Sequence, residues 1–285
     1  MQTSEINPLV VLLNNKPLDI FDGLSPNEMH SLLYETFEEK SPLRFRDSIE
    51  NEVLDLSPFF RLCEELLFLV RSDGTLKLTP KGNLPRRTAR ELYEHRILLD
   101  DMVESGISKL LREENWWAIR VARLIVELSR LVRKANNKLM LTKKGSELLL
   151  KHNRDELFRR ILRAYVVDFN WAYNDRFGEV PIGQFGIGFT LVLLIRYGAT
   201  DQEVRFYADK YLVAFPRLLN ELPVFPFDEP IDNFYSCYAS RVFNKFLCWF
   251  GFVPPKEPKE FFVSKRQVTS KSGILDRVFL VDSSA

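Results

Sequence analysis

The sequence predicts a mainly helical protein with short β-hairpins, built from tandem modules packed into one body. Three observations carry this reading. Gly is scarce, 12 of 285 residues, while good helix formers such as Leu, Arg and Glu abound. The chain holds 23 Phe, 9 Tyr and 4 Trp, and each buried ring removes ~150–250 Å² from water, so the core can be large. One helix–turn–strand–helix pattern occurs twice. The overall composition, 46% hydrophobic and 28% charged, is ordinary for a globular chain and excludes a disordered tail protein.

The repeated unit is legible residue by residue. In the first copy Leu69-Val70-Arg71 ends an apolar helix that begins near Phe59. A turn at Ser72-Asp73-Gly74, the strand Thr75–Leu78 and Thr79-Pro80-Lys81-Gly82 follow, then a helix over Arg86–Glu94. In the second, Trp117–Arg133 is the helix and Ala135-Asn136-Asn137 the turn. The strand Lys138–Leu141 and Thr142-Lys143-Lys144-Gly145 lead to a helix from Ser146. Asp, Asn and Gly tolerate turn conformations, and Thr79 and Thr142 stand where an N-cap is wanted. Leu78 and Leu141 are expected at equivalent ends of two wings.

Helix, two-stranded wing, Leu-Thr-x-Lys-Gly, helix: each copy resembles, over about 25–30 residues, the MarR-type winged-helix pattern of bacterial proteins. The resemblance implies tandem winged-helix-like modules. A third copy is expected near the C-terminus. Arg241–Phe250 supplies its helix, with Gly251 as the C′ residue. Phe252-Val253 and Phe261–Val263 supply its strands, and Val268-Thr269-Ser270-Lys271 echoes the Leu-Thr-x-Lys element.

Other starts are signalled locally. Ser25-Pro26-Asn27-Glu28 is a capping box with Pro at N1. Ser57-Pro58 opens the first-copy helix, and Thr200-Asp201-Gln202-Glu203 predicts a second box before Val204–Phe215. Phe185–Ile195 reads as a buried helix whose glycines, Gly183, Gly186 and Gly188, permit close packing. Their GxxGxG order lacks the phosphate-loop arrangement. Pro8–Leu13 reads as an arm, a strand or a partner-binding segment.

Charge divides the chain. Residues 1–57, an acidic N-terminal arm and helix, carry 4 basic and 11 acidic side chains. Residues 58–108, the first module, carry 8 of each, and 109–165, the second module, carry 15 basic and 6 acidic. Residues 166–285, the C-terminal helical region with the third module, carry 13 basic and 14 acidic. Either the blocks neutralise one another, or the basic one faces a polyanion.

At ~100° per residue, Trp117, Val121, Leu124, Ile125, Leu128, Leu131 and Val132 form one face of the second-copy helix. Arg120, Arg123, Arg130 and Lys134 fall opposite, with Glu127. Together with Lys138, Lys143 and Lys144 they form the candidate nucleic-acid surface. On that reading Arg123 and Arg130 are replaceable without unfolding. A second candidate patch, for a ligand or partner, is Trp171, Tyr173, Asn174, Asp175 and Arg176, on a helix over 169–177.

His30, His95 and His152 are scattered, the three Cys form no CxxC, and no GxSxG elbow occurs. Neither enzyme chemistry, a cofactor nor a metal is expected. Apolar runs are too short for a membrane span. Free thiols suit a reducing, cytoplasmic location. The expected function is non-enzymatic interaction or scaffolding with a protein partner; the alternative is nucleic-acid binding through 109–165.

Overall fold

The computed structural model describes residues 8–109, 112–223, 229–255 and 267–282. In chain order its helices are α1 (Pro8–Asn14), α2 (Pro26–Tyr34), α3 (Asn51–Leu54), α4 (Pro58–Ser72), α5 (Arg86–Glu94), α6 (Asp101–Glu104) and α7 (Trp117–Leu128). They continue with α8 (Lys143–Leu148), α9 (Arg154–Arg163), α10 (Ile187–Tyr197), α11 (Val204–Ala214), α12 (Pro230–Tyr238) and α13 (Gly273–Val278). The strands are β1 (Leu43–Phe45), β2 (Leu76–Lys77), β3 (Val132–Ala135), β4 (Lys138–Leu141), β5 (Gln202–Glu203), β6 (Val268–Thr269) and β7 (Phe279–Val281). The protein is therefore mainly helical, with a few short antiparallel strands. Among the described residues no helix is long and apolar enough to cross a membrane.

The chain folds as two compact units. One comprises residues 48–170 and 249–261; the other comprises 1–47, 171–248 and 262–285. Both repeat copies lie in the first.

In that unit α4 is central. Phe59, Phe60, Leu62, Cys63, Leu66, Leu67 and Val70 are buried along it, against Ile119, Ala122 and Val126 of α7 and Leu157, Phe158 and Ile161 of α9. The Phe60 and Phe158 rings meet edge to face at 5.3 Å. Arg154 of α9 forks onto the Glu64 carboxylate at 2.7 Å and also reaches Asp55 and Asn51. A bidentate pair fixes orientation as well as distance, so α3, α4 and α9 are held in one register.

The sheet corrects the expectation of two separate wings. Its order is β2-β4-β3. The hairpin β3–β4 turns on Asn136 and Asn137, both left-handed with φ of 50° and 53°, as a two-residue type I′ connection requires. The first copy has no such hairpin: its single strand β2 pairs with β4, Leu76 opposite Leu139 and Lys77 opposite Lys138. Leu78 and Leu141 are thus not equivalent. Leu78 is buried and donates its N–H to the Asn137 carbonyl; Leu141 pairs with Val132.

The two Leu-Val-Arg triplets differ as well. The first lies in α4, whereas α7 stops at Leu128 and Val132-Arg133 belong to β3. Arg130, with φ of 58°, makes the corner. The Leu-Thr-x-Lys-Gly elements also do different work. Thr142 caps α8 by accepting the Gly145 N–H, as expected. Gly145 is required because a Cβ there would fall 2.0 Å from the Leu131 carbonyl oxygen. Thr79 caps no helix; it closes a turn by accepting the Asn83 N–H at 3.1 Å, and α5 starts later, after Pro85.

In the second unit α10 is buried from Ile187 through Leu194 and packs on α2 and α11. The capping box at Ser25 forms as expected. The box at Thr200 does not: Gln202-Glu203 pair with Thr269-Val268 instead, and the ladder replaces the cap. The third module is not found as expected. Gly251 is left-handed, with φ of 75°, but Phe252-Val253 form no strand. Val268-Thr269 belong to the β5–β6 pair, and Phe261–Val263 lie outside the described residues. The arm Pro8–Leu13 is helical, and Leu9–Leu13 are all exposed.

A fully buried Arg241 organises the 175–182 loop. It grips Asp175 through Nε (2.7 Å) and Nη2 (3.0 Å) and donates to the carbonyls of Gly178 (2.9 Å), Val180 and Ile182. Nearby, Tyr211 Oη donates to the Phe185 carbonyl at 2.6 Å and accepts the Gly183 N–H at 3.1 Å.

Gly186 has φ of 74°, and a Cβ on it would lie 2.6 Å from the Phe215 ring. Gly186→Leu should therefore lower stability by at least ~1–3 kcal/mol through overpacking, read as a reduced urea midpoint. Gly145→Ala should do the same, and an unchanged midpoint for either contradicts the packing described.

Candidate functional site

The candidate surface lies on α7 and on the hairpin that follows it. Its geometry is set just upstream, where Glu113-Glu114-Asn115 form a 3-10 turn and Trp116 stacks on Tyr93 with centroids 4.7 Å apart. Glu113 is 1% exposed. It accepts the Leu84 backbone N–H from the first copy's turn and Arg123 Nε, at 2.8 Å, from α7. Arg123 also donates through Nη1 to Glu127, one turn on, at 2.5 Å. Burial pushes the Glu113 carboxyl up, while Arg123 opposes that shift. The guanidinium of Arg123 is itself held above its ordinary value, as its carboxylate partners outweigh the burial that would lower it. A buried charge of this kind persists only when paired and hydrogen-bonded.

This pairing corrects the helical projection of the sequence. Arg123 is 5% exposed and lies on the packed side of α7 with Ile119, Ala122 and Val126. Trp117 and Leu124 are half-buried, and Leu128 is 41% exposed. Positions 117, 124 and 128 share one helical face. The outward side of α7 is therefore apolar, flanked by half-buried Arg120 and Glu127. The rotation has a physical cause: Glu113 offers an interior partner, so a long arginine can be buried where a projection by residue type places it in solvent.

The other predicted cations divide. Arg120 lies near enough to Glu113 to favour its ionised form. Lys144 pairs with Glu147 at 3.3 Å and Glu156 at 2.9 Å. Arg130, Lys134, Lys138 and Lys143 are exposed. Lys138 stands opposite Lys77 across the β2–β4 ladder, a like-charge pair that costs stability. Lys134 extends to Gly82, where a Cβ would lie 2.3 Å from its Nζ.

The second predicted patch is not a helix. Residues 169–177 form turns, and two of the named groups are used internally. Trp171 is buried against Phe246 at 5.2 Å, and Asp175 is the partner of Arg241. Tyr173 is half-buried, Asn174 is exposed at φ 55°, and Arg176 is exposed and lies 4.9 Å over the Phe177 ring.

Sequence reasoning missed Glu113 and Arg241. The signal for the first was present: Glu113-Glu114 interrupt a strongly basic segment. The signal for the second was absent, since nothing in a helical pattern marks one arginine as buried. Among the described residues no group of three or more His, Cys, Asp or Glu is placed to hold a metal ion.

Residues 55–155, which span most of the unit just described, match the family model of the Y4jL N-terminal domain. No curated protein and no solved structure matches the chain.

Arg123→Glu should destabilise the protein by ~3–5 kcal/mol, because it leaves Glu113 buried and unpaired. Arg130→Glu, at an exposed corner, should stay within about ±0.5 kcal/mol. Urea denaturation of the two variants checks this; equal effects contradict the assignment of Arg123 to the interior.

Proposed function

We propose that the chain is a non-enzymatic interaction protein and that its first unit is one winged-helix-like module used to bind a protein partner. The order α4, β2, α5, α7, β3, β4, with the one-turn α6 inserted between α5 and α7, and the sheet order β2-β4-β3 support a single module assembled from both repeat copies in place of a tandem pair. The observation that carries the protein-binding reading is the inward turn of Arg123. It leaves Trp117, Leu124 and Leu128 on the side of α7 that a groove-reading helix would present. Base and phosphate contacts call for polar and cationic side chains there; an apolar stripe with flanking charge suits a protein surface. The free thiols of Cys63, Cys237 and Cys248 fit a reducing, cytoplasmic setting.

The second reading, nucleic-acid binding, is favoured by the exposed Arg130, Lys134, Lys138 and Lys143. Four phosphate contacts give a slope of about −3.6 in log K against log salt.

Fluorescence anisotropy with a short duplex separates the two. The protein-binding reading expects no measurable association at about 50 mM salt, where phosphate contacts are strong. Binding with the slope above, lost on replacing Lys134 and Lys138 with Glu, overturns it. In parallel, Leu128→Glu should weaken specific co-purification of the partner while leaving the melting temperature unchanged, because Leu128 is exposed. Full retention of the same partner by that variant removes α7 from the interface.

A further inference from the structure

The turn joining β2 to α5 faces the segment leading into α7 across a cavity of about 400 Å³. Both walls are fixed. In the turn, Thr79 N–H bonds the Asn83 carbonyl at 2.9 Å, Gly82 N–H bonds the Thr79 carbonyl at 2.8 Å, and Thr79 Oγ1 accepts the Asn83 N–H. The opposite wall is tied on by the Leu84 N–H to Glu113 and by Asn83 Nδ2 to Glu114 Oε1 at 2.6 Å. A cavity whose backbone walls are already hydrogen-bonded needs no backbone ordering when a ligand enters, which lowers the entropic cost of binding.

Its lining is asymmetric in charge. Lys81 and Arg86 stand on one wall and Arg112 on the other, all three exposed, and none forms an ion pair with a described Asp or Glu. Of the two acids present, Glu113 has its charge met inside the fold by Arg123. That leaves Glu114, whose carboxylate already accepts from Asn83. Exposed Pro80 adds apolar surface, whereas Leu84, also in the lining, is only 2% exposed. The volume lies within the ~300–1,000 Å³ range of small-molecule sites. Three cations lining one cavity suit a phosphoryl group, and the exposed face of Pro80 suits a ring.

We propose that this cavity binds a small phosphate ester of mononucleotide size, its phosphoryl group between Lys81, Arg86 and Arg112 and its ring against Pro80. This site is separate from the outward face of α7 and does not depend on the protein-binding reading. It does touch the same device, because Glu113 forms one wall and anchors α7.

Isothermal titration of the full chain tests it, with adenosine 5′-monophosphate as the probe and inorganic phosphate and adenosine as controls. Saturable one-site binding of the nucleotide is expected, with competition by inorganic phosphate and far weaker binding of adenosine. Lys81→Ala with Arg86→Ala should weaken nucleotide binding about tenfold or more, with the melting temperature unchanged, because both side chains are exposed. Three results overturn the proposal. They are absence of saturable binding at millimolar nucleotide, equal binding of adenosine, and full binding by the double variant.

Discussion

The buried pair Glu113–Arg123 is the constraint on which the candidate surface depends. Each partner makes the other tolerable in the interior. Arg123 Nε and the Leu84 N–H converge on one carboxylate, so a turn from the first repeat copy and a helix from the second are fastened at one point. With Arg123 drawn inward, α7 is rotated to place Ile119, Ala122 and Val126 against the core. The outward stripe of Trp117, Leu124 and Leu128 follows from that rotation. So does the cavity beside Lys81 and Arg112, whose far wall is the Glu113 segment itself. Replacing such a pair with apolar groups is often neutral for stability. Its contribution here is to set which way one helix faces.

The same device recurs in the other unit with a different purpose. Arg241, 1% exposed, satisfies Asp175 and three backbone carbonyls that the irregular 175–182 stretch would otherwise leave without donors. A loop carries backbone polar groups that must be paired when buried, and one guanidinium supplies the donors. Asp22 works in reverse, accepting from Arg196, Tyr197 and Lys210 and so tying a left-handed corner to α10 and α11. Arginine–carboxylate pairs thus serve as internal fasteners in both units, and the near-neutral total charge is consistent with that use.

Much of the fold was legible in the sequence because its signals are local. Pro26 after Ser25, Pro58 after Ser57, Asn136-Asn137 in the hairpin and the apolar run from Ile187 each act within a few residues. What was not legible is long-range. Leu76-Lys77 looks like half of a hairpin, but its partner is Lys138-Leu139, about sixty residues on. The strand signal is present; the pairing is decided by where α4 and α7 pack. The candidate site failed in projection for the same reason. A helical wheel sorts residues by type, so it places Arg123 outside and Leu128 inside; the structure reverses both, because a partner for the arginine lies outside the wheel, at Glu113. Likewise the shared Leu-Thr-x-Lys-Gly conceals two tasks, a helix cap with a close backbone approach at Gly145 and a closed turn at Gly82.

The side-chain Nε–H of Arg123 reports its inward placement directly. In a ¹⁵N-labelled sample the exchange of that proton with water can be followed by nuclear magnetic resonance and compared with the Nε–H of exposed Arg130. An Arg123 donor buried against Glu113 should give a signal that stays sharp and exchanges as slowly as the core amides of α7. An Arg123 Nε–H that exchanges as fast as that of Arg130 would place the guanidinium in solvent and overturn the buried Glu113–Arg123 pair.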